Sequence, residues 1–122
     1  MTQEQKDILL QDLCARLPYG VKMNHIADDE VSPETLIGIA KDMLTLQGLG
    51  GYSCVPVEHY KPYLIPLSIS SMTEEQKEDM VKSSCGIGSD KNVFDWYNKN
   101  HFDYRGLIPM GLANDATDLN IY

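Results

Sequence analysis

Y-K-P-Y-L-I-P-L-S-I-S-S-M-T-E-E-Q-K-E-D-M, from Tyr60 to Met80, is where an extended, half-buried chain hands over to a helix. Pro62 and Pro66 lack backbone donors and fix φ, and each biases the residue before it, Lys61 and Ile65, toward extended geometry. With Tyr63, Leu64, Leu67 and Ile69 beside them, they predict a proline-and-apolar strap laid over a core rather than a ladder-forming central strand. At Thr73 the chain turns. Thr73 followed by Gln76 has capping-box spacing, with Glu74 and Glu75 at the positive end of the helix dipole. The stretch organises a fold and names no function.

Upstream, Thr2-Gln3-Glu4-Gln5 repeats the Thr73-to-Gln76 signature, each preceded by Met and followed by Lys. It reads as a shared way of starting a helix, because the downstream sequences diverge. From Gln3 to Leu17, the residues Leu10, Cys14 and Leu17, with Leu9 and Leu13 beside them, predict one apolar stripe on a helix that Pro18 and Gly20 stop. Val21 to Ile26 alternates as a first strand, and Ala27 to Pro33 is an acidic loop. Residues 33–47 fit two templates. Ser32-Pro33-Glu34 resembles a helix start, and Leu36, Ala40, Met43 and Gln47 fit a helical stripe. Against this stand Gly38 in the interior, at a cost of about 1 kcal/mol, and a hairpin pattern of Thr35–Ile39 and Met43–Leu46 around a polar Lys41-Asp42 turn. Gly48, Gly50 and Gly51 form a turn, and Tyr52 to Val57 reads as a strand that Pro56 marks as an edge or a strand end.

Downstream, Thr73 to Lys82 predicts a short helix, and Ser83 to Ser89 a loop by composition. Ser89 or Asp90 is placed to cap a helix through Val93, Phe94, Trp96 and Tyr97 to near Asn100. Asp103 is placed to cap a fourth short segment that Pro109 limits. The tail from Asn114 to Tyr122 is polar and reads as surface-laid.

At 122 residues the chain is one domain, able to bury about two-thirds of its unfolded surface. Eighteen acidic against 10 basic side chains give a net charge of −8. The bases are scattered, which argues against a phosphate-binding stripe and direct nucleic-acid contact. Cys14, Cys54 and Cys85 are too far apart for a CxxC metal pair and odd in number for a disulfide framework. The start lacks an apolar leader core, and no apolar run approaches a membrane span. The expectation is a cytoplasmic protein without membrane contact.

L-C-A-R-L-P-Y-G-V-K (13–22), K-P-Y-L-x-P-L-S (61–68), S-M-T-E-E (71–75), D-W-Y-N-K-N-H-F-D-Y-R-G-L-I (95–108) and the terminal D-A-T-D-L-N-I-Y together resemble a family of small uncharacterised proteins encoded by gut Bacteroidetes and their phages. The resemblance covers both ends and the strap. It implies consecutive short strands between V-K and K-P-Y-L, which tips residues 35–47 toward the hairpin. This chain departs from the pattern with Ile65 where an Arg precedes the second proline, and with two extra residues in S-I-S-S-M-T. The resemblance brings no activity with it.

The fold expected is α+β. An N-terminal helix (1–18) precedes a small antiparallel, SH3-like or barrel-like sheet (20–58), closed by the strap (59–72), with two or three helices in the C-terminal part (73–122). H-F-D-Y-R-G places His101, Asp103 and Arg105 in alternation on an aromatic background. This is either a carboxylate-oriented histidine at a pocket rim or a capping and tethering motif, with Phe102 and Tyr104 filling the core. Tyr60, Tyr63, Trp96, Tyr97 and Tyr104 form either a binding surface or a core with polar tips. His25, Cys54, His59, Cys85 and His101 lack the close ligand pairs of a structural zinc site. Ser83 to Gly88 matches neither G-x-S-x-G nor a phosphate loop.

Three functions follow as expectations, with no cofactor and no metal. The first is a non-enzymatic protein-interaction module, in keeping with a phage or mobile-element accessory protein, with an unidentified protein partner. Its candidate binding residues are Tyr63, Trp96, His101, Asp103, Tyr104 and Arg105. The second is an acidic mimic that occupies a nucleic-acid-binding protein. The third is a small hydrolase using His101 with Asp103.

Overall fold

Thr2 begins the first helix as its sequence dictates. In the computed structural model, which describes residues 1–28, 30–68, 72–85 and 93–122, Gln5 N–H donates to Thr2 Oγ1 at 3.1 Å and Thr2 N–H donates to Gln5 Oε1 at 3.0 Å. Helix α1 runs Gln3–Arg16 and ends through a tight turn at Leu17–Tyr19, with Gly20 left-handed at φ 66°. Its buried face is Leu9, Asp12, Leu13 and Arg16. The predicted stripe through Leu10, Cys14 and Leu17 is therefore rotated, and Cys14 is exposed. The reason is that Asp12 and Arg16, four apart, neutralise one another and enter the interior as a pair.

Strands β1 (Lys22–His25), β2 (Glu34–Ala40), β3 (Met43–Gly48) and β4 (Gly51–Pro56) follow as an antiparallel run. Residues 35–47 are the hairpin. Lys41 takes φ 56° in the two-residue turn between Ala40 and Met43, and Gly38 pairs with Thr45 across a register shift that leaves Ile37 exposed. The side-chain amide of Asn24 spans the loop after β1, donating to Glu30 O and accepting from Ser32 N–H.

The proline stretch is a strand, β5 (Tyr60–Pro66), and not an overlying strap. It pairs antiparallel with β1 through Tyr60, Lys61 and Pro62. On its other flank it runs parallel to β7 (Asn114–Asp115) at Tyr63 and Leu64, while β6 (Phe102–Asp103) takes over from β1 on the first flank, running parallel at Ile65 and Pro66. Its neighbours take over from one another along its length, so the missing proline donors are tolerated inside the sheet. The strand order is β4-β3-β2-β1-β5-β6, with β7 also on β5. Among the described residues, no pairing joins β4 to β6. The sheet is open, which corrects the barrel expected from the strand lengths.

Helix α2 (Glu74–Ser84) carries the predicted capping box at Thr73 and Gln76, and α3 (Val93–Lys99) follows. The predicted cap of α3 at Ser89 or Asp90, strap residue Ile69 and the Gly86–Ser89 part of the loop lie outside the described residues. In place of a fourth helix, residues 104–111 form turns. The tail is not simply laid on the surface, because Asn114–Asp115 adds to the sheet and Ala116 N–H donates to Leu64 O at 2.8 Å.

Helix α1 lays Leu9 and Leu13 on the inner sheet face, against Met23, Leu36, Leu44, Leu46 and Leu64. A second cluster forms where Trp96 of α3 stacks on Phe102 of β6, with Met72 beside them. The outer sheet face keeps Thr45, Tyr52 and Cys54 toward solvent or only half-buried. Among the described residues, no helix is long and apolar enough to cross a membrane.

Candidate functional site

The six residues singled out in the sequence are placed in the interior or against it. Tyr63 is buried in β5, and its carbonyl accepts a hydrogen bond from Tyr122 Oη at 2.6 Å. Trp96 is buried against Phe102 with ring centroids 5.5 Å apart. Asp103 is buried and spends both carboxylate oxygens on backbone, accepting from Leu107 N–H at 2.8 Å and Ile108 N–H at 2.9 Å. That is the capping and tethering role.

Arg105 Nε donates to Asp12 Oδ1 at 3.1 Å. Asp12 also receives Arg16, through Nε at 2.7 Å and Nη2 at 3.2 Å, and Arg16 reaches on to Phe102 O at 2.6 Å. The Tyr104 ring lies near both guanidiniums, at 5.3 Å from Arg16 and 5.1 Å from Arg105, and stacks on Tyr97. One carboxylate thus holds two cations, and the aromatic face between them adds cation–π attraction. Sequence reasoning named Arg105 and Tyr104 but missed Asp12 and Arg16. The available signal was their i,i+4 spacing.

His101 stands apart from Asp103 chemically. It holds φ 63°, stacks on Tyr122 at 3.5 Å between centroids, and its buried Nδ1 has no hydrogen-bond partner among the described residues. Tyr122 Oη accepts from Lys22 N–H at 2.9 Å while donating to Tyr63 O, so this one ring ties the tail to β1 and β5. Burial, followed by the positive charges of Arg16 and Lys22, lowers the His101 pKa from 6.5 to about 4. Burial pushes the Tyr122 phenol well above its ordinary value, the Lys22 N–H and Arg16 offsetting this in part.

A stability prediction follows with its sign. The unfolded chain takes up a proton at His101 near pH 6.5 and the folded chain only near 4. This contribution is therefore intact above pH 6.5 and is lost as pH falls through that window. After solvent screening, wild type should lose about 1–2 kcal/mol more than His101→Asn between pH 7 and pH 4. Asn keeps the left-handed backbone. Urea titrations of both proteins at the two pH values provide the check, and equal losses would remove the assignment.

With these groups committed to the chain itself, the surface least committed is the outer edge of β4. Leu49 is fully exposed at the β3–β4 turn and Tyr52 is 71% exposed. Gly51 to Cys54 are all exposed. The pairing fixes which backbone groups face out. Gly48 and Gly51 close a two-residue loop as a hydrogen-bonded pair, so Ser53 and Val55 bond to β3 while Tyr52 and Cys54 turn their N–H and C=O outward. The bond from Val57 N–H to Asp42 O at 2.9 Å agrees with this parity. Pro56 shares the outward phase and has no donor to present. No residue from Met43 to Val57 is charged. A cleft of about 490 Å³ lies alongside, lined by Val31, Pro33, Glu34, Gly48, Leu49 and Ser53 among others. The sequence signal for this edge was an uncharged, glycine-led run ending in proline.

Among the described residues, no group of three or more His, Cys, Asp or Glu side chains is placed to hold a metal ion. No protein-family model, curated protein or solved structure matches the chain.

Proposed function

We propose that the chain is a non-enzymatic protein-interaction module that docks an extended segment of a protein partner by strand addition at β4. The observation that carries this reading is the edge itself, six residues of strand with one flank unpaired among the described residues and no charged side chain. Natural edge strands are commonly blunted by lysine or inward-pointing charge, and β4 has neither. Strand addition takes its affinity from main-chain hydrogen bonds and its specificity from pockets for alternate side chains. The cleft beside Ser53 and Leu49 is placed to serve as such a pocket. A phage or mobile-element accessory role belongs with the motif resemblance and adds no residue to this site.

The hydrolase reading finds less support, because the Asp103 carboxylate is spent on Leu107 and Ile108 and makes no hydrogen bond with His101. The mimic reading loses two of its carboxylates to the interior, Asp12 and Asp103.

The test is selection from a displayed library of random peptides, using wild type and Cys54→Pro. The variant removes an outward N–H at a phase where Pro56 already stands in the same strand. Peptides enriched by wild type should bind the variant about tenfold or more weakly. Enrichment of none, or equal binding by both proteins, would contradict the reading.

A further inference from the structure

We propose that the segment received by β4 is the β4 of a second copy, paired antiparallel about a two-fold axis through Ser53. This rests on the strand-addition reading above and names its partner. Three observations converge on it. The first is electrostatic. Two chains of net charge −8 repel over most approaches, whereas residues 43–57 carry no charge and meet their own kind without like-charge opposition.

The second is the parity of the edge. With Ser53 on the axis, Tyr52 of one copy faces Cys54 of the other. These are the residues whose N–H and C=O point outward, so each pair exchanges both main-chain bonds. Shifting the axis to Cys54 would set Tyr52 opposite Pro56, which has no N–H, and leave an acceptor unpaired on each side. The Ser53 register satisfies both residues. On the outer face it also brings the Tyr52 ring beside the Cys54 sulfur of the other copy, a favourable contact.

The third is closure. A two-fold pairing uses the same edge of both copies and stops at two. At the far end of the sheet, β7 covers the outer flank of β5 at Tyr63 and Leu64, and β6 follows β1 on its inner flank. The product is one sheet continuous across both copies.

The experiment combines sedimentation with cross-linking. Wild type, with its thiols kept reduced, should rise from 13.7 kDa toward twice that mass as concentration is raised from about micromolar to about millimolar. Ser53→Glu, which opposes like charges on the axis at an exposed position, should stay monomeric throughout while melting as wild type does. In a chain with Cys14, Cys54 and Cys85 all changed to Ser, Ser53→Cys should cross-link under mild oxidation. Cα atoms at that non-hydrogen-bonded pair lie about 4.5 Å apart, within disulfide reach.

A wild type that remains monomeric at every concentration overturns the homodimer. If such a protein still selects peptides that Cys54→Pro releases, strand addition stands and only the partner is wrong. If it selects none, both fail. Dimers that Ser53→Glu leaves intact, or that cross-link through Cys54 and not through Ser53→Cys, overturn the proposed pairing.

Discussion

Asp12→Ala is expected to cost about 3–5 kcal/mol of folding stability, a large share of the roughly 5–15 kcal/mol available to a domain. The carboxylate is fully buried and faces Arg16, also fully buried, at 2.7 Å and Arg105 at 3.1 Å. Its removal leaves two guanidiniums without a carboxylate partner among the described residues, one of them away from solvent. Arg16 cannot swing out without giving up its bond to Phe102 O. The loss therefore includes the burial penalty of a stranded cation as well as the attraction. Asp12→Leu combined with Arg16→Met should lose less than Asp12→Ala alone, because no full charge is then left unpaired inside. Urea unfolding of the three proteins, read at unchanged m-value, decides the matter. A single-variant cost under about 1 kcal/mol would show that the pair is exposed or dispensable.

Phe102→Ala should cost a similar amount, about 3–5 kcal/mol, for a different reason. Its side chain is fully buried and stacks on Trp96 with 16° between the rings. Its strand, β6, is held to β5 at Ile65, and its carbonyl receives Arg16 from α1. One residue thus joins the helical cluster, the sheet and the buried ion network. Trp96 is the chain's sole tryptophan, so its fluorescence reports the site directly. The variant should unfold at lower urea, with Trp96 emission shifted red in the folded baseline. An unchanged emission and a small loss would mean that the stack contributes little.

The helix starts were legible because a capping box is local chemistry. Both Thr2 and Thr73 form the reciprocal bonds that their spacing implies. The hairpin at Lys41-Asp42 was legible only as one of two fits, since short apolar runs satisfy both periods. The proline stretch misled. Prolines argue against a strand flanked on both sides throughout its length, and β5 is flanked in relay instead, by β1 and then β6 on one side and by β7 on the other. Barrel closure misled because strand count and length do not encode which edges meet.

At the candidate site, the tethering role of Asp103 was readable from its position before a turn-forming segment. The buried face of α1 was not, because Asp12 and Arg16 count as polar in any hydrophobic pattern and enter the core only as a matched pair. The outward phase of Tyr52 and Cys54 depends on the register of the loop that closes at Gly48 and Gly51. An uncharged run alone does not reveal it.

Residue-resolved amide hydrogen exchange at β4 is the most direct measurement on the docking edge. In dilute protein, the N–H groups of Ser53 and Val55, bonded to β3, should exchange slowly while those of Tyr52 and Cys54 exchange fast. On binding an edge-selected peptide, Tyr52 and Cys54 should become protected as well. Protection of Tyr52 and Cys54 already in the dilute free chain, or fast exchange that persists with peptide bound, would contradict an open docking edge.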